Sequence, residues 1–151
     1  MNIPFSPPDI TETEIEEVIE ALKSGWITTG PKTKEFERQI TEYCASDRTV
    51  CLSAATTALE MTLRVLGIGK GDEVIVPAYT YTASCSVICH VGATPVMVDS
   101  QIDKEEMDYD KMAEAITDRT KAIIPVDIAG ILCDYDRIFE VIEEKRDLFT
   151  P

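Results

Sequence analysis

The sequence predicts an α/β fold, a mainly parallel sheet with helices on both faces. Short β-rich runs alternate along the chain with amphipathic segments of roughly 10 to 15 residues, the length of a crossover helix. A crossover between strands of one sheet is right-handed and makes them parallel. With 151 residues, 44% of them hydrophobic, the chain can bury a sizeable core. We therefore expect one α/β domain.

Composition and charge narrow the classes of partner. The chain has 28 acidic and 14 basic residues and a formal net charge of -14, which disfavours a nucleic-acid backbone or an anionic membrane as partner. No stretch approaches the roughly 20 apolar residues that span a bilayer, and the N-terminal residues lack the basic and apolar regions of a signal peptide. We expect a cytoplasmic protein that binds neither nucleic acid nor membrane.

The five cysteines have no CxxC spacing, so reduced, buried thiols are expected rather than a disulfide framework or a closed zinc site. Cys85 and Cys89 are one helical turn apart, but His90, the only histidine, falls off their face of the helix. The sequence therefore predicts no metal site.

Two helices are predicted before residue 45. After an extended lead from Ile3 to Asp9, the first begins at Thr11 or Thr13 and ends near Ser24 and Gly25. Its apolar residues recur at helical spacing, and glutamates occupy the rest of its surface. The second helix begins at Pro31, a residue suited to a first helical turn, and bears Phe36, Ile40 and Tyr43.

The loop between these helices, residues 25–33, is rich in Gly and Thr and carries the only tryptophan. Trp26, Thr28, Thr29 and Gly30 could line a polar pocket. Trp26 could equally be a core or interface anchor.

The central stretch, residues 49–66, is predicted to contain a strand, a tight turn and a helix. Val50 to Leu52 form the strand, Ser53 to Ala55 are small, and Thr56 and Thr57 open an amphipathic segment. The unpaired N–H groups of a first helical turn attract a phosphate or another anion. Small side chains would let the ligand approach, and the hydroxyls of Ser53, Thr56 and Thr57 could add hydrogen bonds. Alternatively, Thr56 or Thr57 simply caps the helix.

The rest of the chain continues the alternation. Its predicted elements are a strand at 74–76 ending at Pro77, a helix with Val87, Ile88 and Val91, a strand at 94–98, a helix with Tyr109, Met112, Ala113 and Ile116, a strand at 121–126, and a helix at 133–146. An apolar tail follows at 147–151. Ligands of such sheets bind beyond the carboxyl ends of the strands, which here are followed by residues 53–57, 78–84 and 127–130.

Tyrosines and aspartates stand at these strand ends. Tyr79 or Tyr81 could stack on a planar ring beside the anion site, although core packing is the alternative that the pattern alone favours. Asp99 and Asp127 are carboxylates that would be costly to bury without a partner. For Asp99 we expect helix capping.

Five motifs, in order, resemble the first part of the DegT/DnrJ/EryC1/StrS family of sugar aminotransferases. They are IPFSPPDIT, GWITTGPKTKEFE, CLSAATTALEMTLRVLGIGKGDEVIVPAYTYTAS, GATPVMVD and ITDRTKAIIPVDIAG. The resemblance covers nearly the whole chain. It implies the N-terminal part of the large domain of a fold-type I transferase, with an N-terminal segment at 1–30 and a partial cofactor-binding domain at 31–151. The family uses pyridoxal 5'-phosphate (PLP) and glutamate to aminate nucleotide-linked keto-deoxysugars, usually as homodimers.

The resemblance also assigns roles to residues. It implies that the turn at Ala55 and Thr56, with Ser53, holds the PLP phosphate and that Tyr81 stacks on the pyridine ring. The loop at Thr28, Thr29 and Gly30 would lie close to the sugar nucleotide.

Departures from the family affect what the chain can do. Ala55 stands where many members have Gly, and Asp127 stands where many have His. Neither difference is expected to disable the site, because the turn binds through its backbone N–H groups. The family's cofactor-bearing lysine and its pyridine-pairing aspartate lie in a region with no counterpart here, and PLP chemistry needs both. We therefore expect a truncated chain with no catalytic residue of its own, inactive alone. The alternatives are a non-catalytic dimerisation or binding module, and part of a related dehydratase.

Overall fold

The computed structural model describes residues 3–4 and 6–148, and the chain divides into two compact units, residues 1–51 and 52–151. The first unit contains helices α1 (Glu12–Lys23) and α2 (Pro31–Tyr43). The second contains α3 (Ala55–Val65), β1 (Glu73–Pro77), α4 (Thr82–His90), β2 (Thr94–Val98), α5 (Tyr109–Ala115), β3 (Thr120–Ile123), a 3-10 turn (Ile128–Gly130) and α6 (Tyr135–Glu144). Within the predicted lead and tail, Phe5 and residues 149–151 lie outside the described residues.

The first helix begins and ends, and the second begins, where the sequence predicts. Thr11 caps α1 in a capping box with Glu14, and the helix ends at Ser24. Gly25 follows in the left-handed conformation that ends many helices, with a φ of 73°. Pro31 occupies the first position of α2.

The second unit is built on a parallel sheet with the order β2-β1-β3. Side chains alternate across its central strand: Ile75 packs in a cluster with residues of α5 and α6, whereas Val74 and Val76 pack with residues of α3 and α4. All three are fully buried. The α/β fold with a parallel sheet and helices on both faces is thus confirmed.

Two predicted strands differ in the structure. Residues 50–52 do not form a strand, because no strand of the described chain pairs with them. The Cys51 N–H donates instead to the Glu37 carboxylate (2.8 Å). The predicted strand at 121–126 begins one residue earlier and ends at Ile123. The Ile124 N–H still donates to the Ile75 carbonyl (2.8 Å). The next bond of this parallel ladder would run from residue 77 to the Ile124 carbonyl, but Pro77 has no N–H.

The five thiols are free, but the expectation of buried thiols is right only for Cys133. Cys44 and Cys89 are exposed. Cys44 lies at the end of α2, a helix with no buried residue, and Cys89 lies beside the buried Val87 and Ile88 but outside their face of α4. Among residues 3–4 and 6–148, no helix has the length and apolar character to cross a membrane.

Candidate functional site

Chain direction brings the first turns of α3 and α4 to one edge of the sheet. The end of α3 leads through a short turn, in which the Ile68 N–H donates to the Leu63 carbonyl, into the start of β1. α3 therefore runs opposite to β1, and its first turn lies toward the carboxyl end of that strand. β1 continues directly into the loop before α4, which returns to the start of β2. Both helix starts thus lie where ligands of parallel sheets bind.

The first turn of α3 presents unpaired backbone donors. Ala54 is the N-cap in an extended conformation, and no side chain caps the helix. The alternative that Thr56 or Thr57 simply caps the helix is therefore wrong. Ser53, Ala54 and Ala55 are exposed, and the Ser53 and Thr57 hydroxyl oxygens are 3.2 Å apart. Exposed N–H groups, small side chains and hydroxyls at a helix start can bind an anion such as phosphate.

Tyr79 and Tyr81 are exposed, at 58% and 80%. Core packing of these tyrosines, the alternative that the pattern alone favoured, is therefore wrong. Tyr81 is the N-cap residue of α4, and its neighbours Thr80 and Ser84 bond to each other through their hydroxyls (2.9 Å). The exposed Tyr81 side chain lies at the same sheet edge as the first turn of α3, where an aromatic ring can stack on a planar ligand.

A polar contact that was not predicted from the sequence joins α3 to α4. Glu60 accepts from Arg64 (2.7 Å) and contacts Nδ1 of His90 (2.9 Å), although Glu60 and His90 are thirty positions apart. The Arg64 guanidinium also donates to the His90 carbonyl (3.4 Å). Hydrogen bonds from Arg64 and then His90 hold the pKa of Glu60 below its usual range. His90 thus serves as a helix–helix contact.

Asp127 follows β3 at the same edge and anchors the turn after it. Its carboxylate accepts the Cys133 N–H (2.9 Å) and the Tyr135 hydroxyl (3.1 and 3.0 Å). Within this turn Ala129 has a φ of 53°, which non-glycine residues seldom adopt. The Cys133 N–H, followed by the Tyr135 hydroxyl, holds the pKa of Asp127 below its usual range. Sequence reasoning placed Asp127 at this edge but missed Tyr135.

These contacts predict an acid-dependent stability change in Asp127→Asn. A carboxylate with a lowered folded-state pKa stabilises the fold above its unfolded pKa, near 4, and that contribution is lost as pH falls through the folded value. Between pH 5 and pH 2, the free energy of unfolding of the unsubstituted chain should therefore fall more steeply than that of Asp127→Asn. Urea unfolding across this range measures both slopes. The slope for Tyr135→Phe, a variant that keeps the hydrogen bond from the Cys133 N–H, should lie between the other two. Parallel slopes for Asp127→Asn and the unsubstituted chain would contradict the role of the Asp127 carboxylate.

Asp99 does not cap a helix, contrary to expectation. It is exposed after β2, where its carboxylate accepts the Ser100 N–H (3.0 Å) and lies 3.6 Å from the Lys111 ammonium. Asp108 caps the next helix instead, because α5 begins ten residues after Asp99.

The loop between α1 and α2 is a feature of the first unit. Thr28 and Gly30, but not Thr29, line a cavity of about 660 Å³ together with Trp26. The Trp26 indole N–H donates to the Thr29 carbonyl (3.0 Å), and a Cβ on Gly30 would lie only 2.0 Å from that nitrogen. Trp26 is exposed, so it is a loop residue that requires glycine at position 30 and not a core anchor within the described chain.

Comparison with known proteins identifies the family. The family model of the DegT/DnrJ/EryC1/StrS aminotransferases matches residues 8–149. The chain is 40% identical to the spore coat polysaccharide biosynthesis protein SpsC of Bacillus subtilis over 141 residues, and 43% identical to the UDP-4-amino-4-deoxy-L-arabinose–oxoglutarate aminotransferase of Shewanella sediminis over 144 residues. These matches cover 93% and 95% of this chain but 36% and 37% of the relatives.

Solved structures of sugar aminotransferases also match this chain. Spr1654 from Streptococcus pneumoniae, a protein assigned as a sugar aminotransferase, is known in PLP, pyridoxamine phosphate (PMP) and apo forms. It is 69% identical, with a TM-score of 0.95 over 99% of this chain and 38% of its own. The chain therefore belongs to the DegT/DnrJ/EryC1/StrS aminotransferase family, whose N-terminal part it matches.

Proposed function

We propose that this chain is the cofactor-phosphate-binding part of a PLP-dependent aminotransferase that acts on nucleotide-linked keto-deoxysugars. The observation that carries the proposal is the uncapped first turn of α3 at the same sheet edge as the exposed Tyr81, in a chain of this family. When bound, PLP supplies an electron sink for amino-group transfer.

The residues present fit the two ends of this cofactor. The backbone N–H groups of Ala55 and Thr56 and the hydroxyls of Ser53 and Thr56 hold the phosphate, which the small exposed side chains allow to approach. Tyr81, a residue that is 80% exposed, would stack on the pyridine ring.

The substrate side of the proposal rests on the relatives. One acts with oxoglutarate on an amino sugar linked to UDP, and another belongs to polysaccharide biosynthesis. For this chain we propose a nucleotide-sugar acceptor held near Thr28, Thr29 and Gly30, glutamate as the amino donor, and assembly as a homodimer. Alone, the chain does not transaminate, because it contains no lysine in the family's cofactor-bearing context.

A chimera tests the proposal. Residues 1–151 replace the matched part of Spr1654, which 69% identity and a TM-score of 0.95 make structurally reasonable. The chimera should take up PLP, and glutamate should convert the bound PLP to PMP, a change visible by absorbance. The 151-residue chain with the same reagents should show no conversion. A folded chimera that takes up no PLP, or conversion by the chain alone, would contradict the proposal.

A further inference from the structure

The polar contact between α3 and α4 lies on sides of these helices that continue to their first turns. On α3, Glu60 lies one turn after Thr56, a residue of the proposed phosphate-binding turn. On α4, His90 lies seven residues, or about two turns, after Ala83, which follows Tyr81 by two positions. The contact is therefore aligned with both helix starts.

Three side chains form this contact, and we call Glu60, Arg64 and His90 the Glu60 cluster. The Glu60 carboxylate accepts from the Arg64 guanidinium at Nε (3.0 Å) and Nη2 (2.7 Å), and it lies 2.9 Å from Nδ1 of His90. A carboxylate can only accept, so Nδ1 carries the proton of this contact. Arg64 also donates to the His90 carbonyl (3.4 Å), one of the last four carbonyls of α4, which lack partners within the helix. The cluster thus holds both a side chain and the backbone of α4.

Apolar packing between the two helices is less directional than the Glu60 cluster. Leu63 of α3 packs in one buried cluster with Val87 and Ile88 of α4. Apolar contacts have no preferred direction, whereas hydrogen bonds weaken steeply when their angles change. The Glu60 cluster therefore fixes how far α3 is displaced along α4.

This displacement matters for a ligand that contacts both helix starts. The proposed PLP site has its phosphate donors at Ala55 and Thr56 in α3 and its stacking ring at Tyr81, the N-cap residue of α4. The phosphate and the pyridine ring belong to one molecule, so both contacts form only at a suitable separation of the two helix starts. Glu60 lies a further turn along α3 and would act through the helix.

We propose that Glu60 is a positioning residue for PLP: with Arg64 and His90 it sets the separation between the phosphate-binding turn of α3 and Tyr81, so that one cofactor reaches both. The inference rests on the proposed function, because it assumes that the turn and Tyr81 bind the same ligand. It gives the Glu60 cluster a role in cofactor affinity in addition to its contact between helices.

Glu60→Gln in the chimera tests this with two ligands, PLP and inorganic phosphate. The glutamine carbonyl can accept from one donor, but its NH2 group then faces the other donor. The affinity for PLP should fall about 10-fold, as expected when about a tenth of the molecules hold both groups at the right separation. Inorganic phosphate needs only the α3 turn, so its affinity should stay within about twofold. Equilibrium dialysis measures both affinities.

The change in charge is controlled separately. Glu60→Gln removes a negative charge, which favours the binding of any anion, so weaker PLP binding would not come from the net charge. The matched control is Glu114→Gln, which makes the same change at an exposed position of α5. It should leave both affinities within about twofold of those of the unsubstituted chimera.

Variants of His90 test the same cluster from α4. His90→Asn places an amide N–H where Nδ1 lies in histidine and should retain the affinity for PLP. His90→Ala removes the donor and should weaken PLP binding as Glu60→Gln does, with little effect on phosphate binding. Because His90 is exposed, this pair decides the proposal even if Glu60→Gln fails to fold.

Each other outcome has a definite meaning. Unchanged PLP affinity in Glu60→Gln and His90→Ala overturns the positioning role. An equal loss of PLP and phosphate affinity also overturns it, because the cluster would then only support the α3 turn. PLP uptake by the unsubstituted chimera keeps the two proposals separate: uptake that neither variant weakens refutes positioning alone, whereas a folded chimera without uptake refutes the proposed function and the inference that rests on it.

Discussion

Substitution of Thr56 by Val together with Tyr81 by Ala is expected to weaken PLP binding by the chimera about 100-fold. Thr56→Val keeps the branched shape at the start of α3 and removes the hydroxyl, and a hydrogen bond to a charged group contributes about 1.5–3 kcal/mol. Tyr81→Ala removes a stacking platform that contributes about 0.5–1.5 kcal/mol. Since about 1.4 kcal/mol is tenfold in affinity, the two losses together exceed one order of magnitude.

Equilibrium dialysis against PLP measures the effect, with each single variant beside the double one. Tyr79→Ala is the matched control, because Tyr79 is also exposed but lies two residues before the N-cap of α4. It should bind PLP as the unsubstituted chimera does. Melting temperatures should change little, since Tyr81 is exposed and Thr56 half-buried. Affinity of the double variant within threefold of the unsubstituted chimera would refute the assigned roles.

The elements that the sequence predicted well have local signals. Thr11 and Glu14 form the predicted start of α1, and Pro31 is at the start of α2. The strands at Glu73–Pro77 and Thr94–Val98 are short apolar runs bounded by turns, and each is found within a residue of its predicted bounds. In these segments the local sequence and the tertiary structure favour the same conformation.

The predictions that failed depended on distant partners. Residues 50–52 have strand composition, but an extended segment is a strand only when a neighbour pairs with its backbone, and Glu37 takes the Cys51 N–H instead. The exposure of Tyr79 and Tyr81 could not be read from their residue types, because a tyrosine suits a core as well as a binding site. Asp99 was expected to cap a helix that begins only after Asp108.

Only part of the candidate site could be predicted from the sequence. The α3 turn and Tyr81 could be proposed because small residues and an aromatic follow apolar runs. Tyr135 and the Glu60–His90 contact could not, since both depend on side chains that meet across turns and helices. The roles of Ser53, Ala55, Thr56 and Tyr81 in PLP binding, and of Thr28, Thr29 and Gly30 in sugar-nucleotide binding, remain predictions.

Ile75→Ala is expected to lower the free energy of unfolding of the 151-residue chain by about 2–5 kcal/mol, the range for loss of a large buried aliphatic side chain. Ile75 lies in the middle of the central strand, is fully buried, and packs in the cluster formed with α5 and α6. Ile75→Val removes a single methyl group and should cost about 0.5–1.5 kcal/mol.

The comparison with an exposed position of the same sheet makes this prediction specific. Met97 lies on the neighbouring strand but is exposed, so Met97→Ala should change stability far less than Ile75→Ala in urea unfolding. Equal losses in the free energy of unfolding at the two positions would mean that the buried cluster around Ile75 does not stabilise the fold. β1 continues directly into the loop that carries Tyr79 and Tyr81, so the cluster that holds Ile75 also holds the strand before the ring that we propose stacks on the cofactor. In the chimera, Ile75→Ala should therefore weaken PLP binding as well, although Ile75 lies away from the proposed contacts with the cofactor.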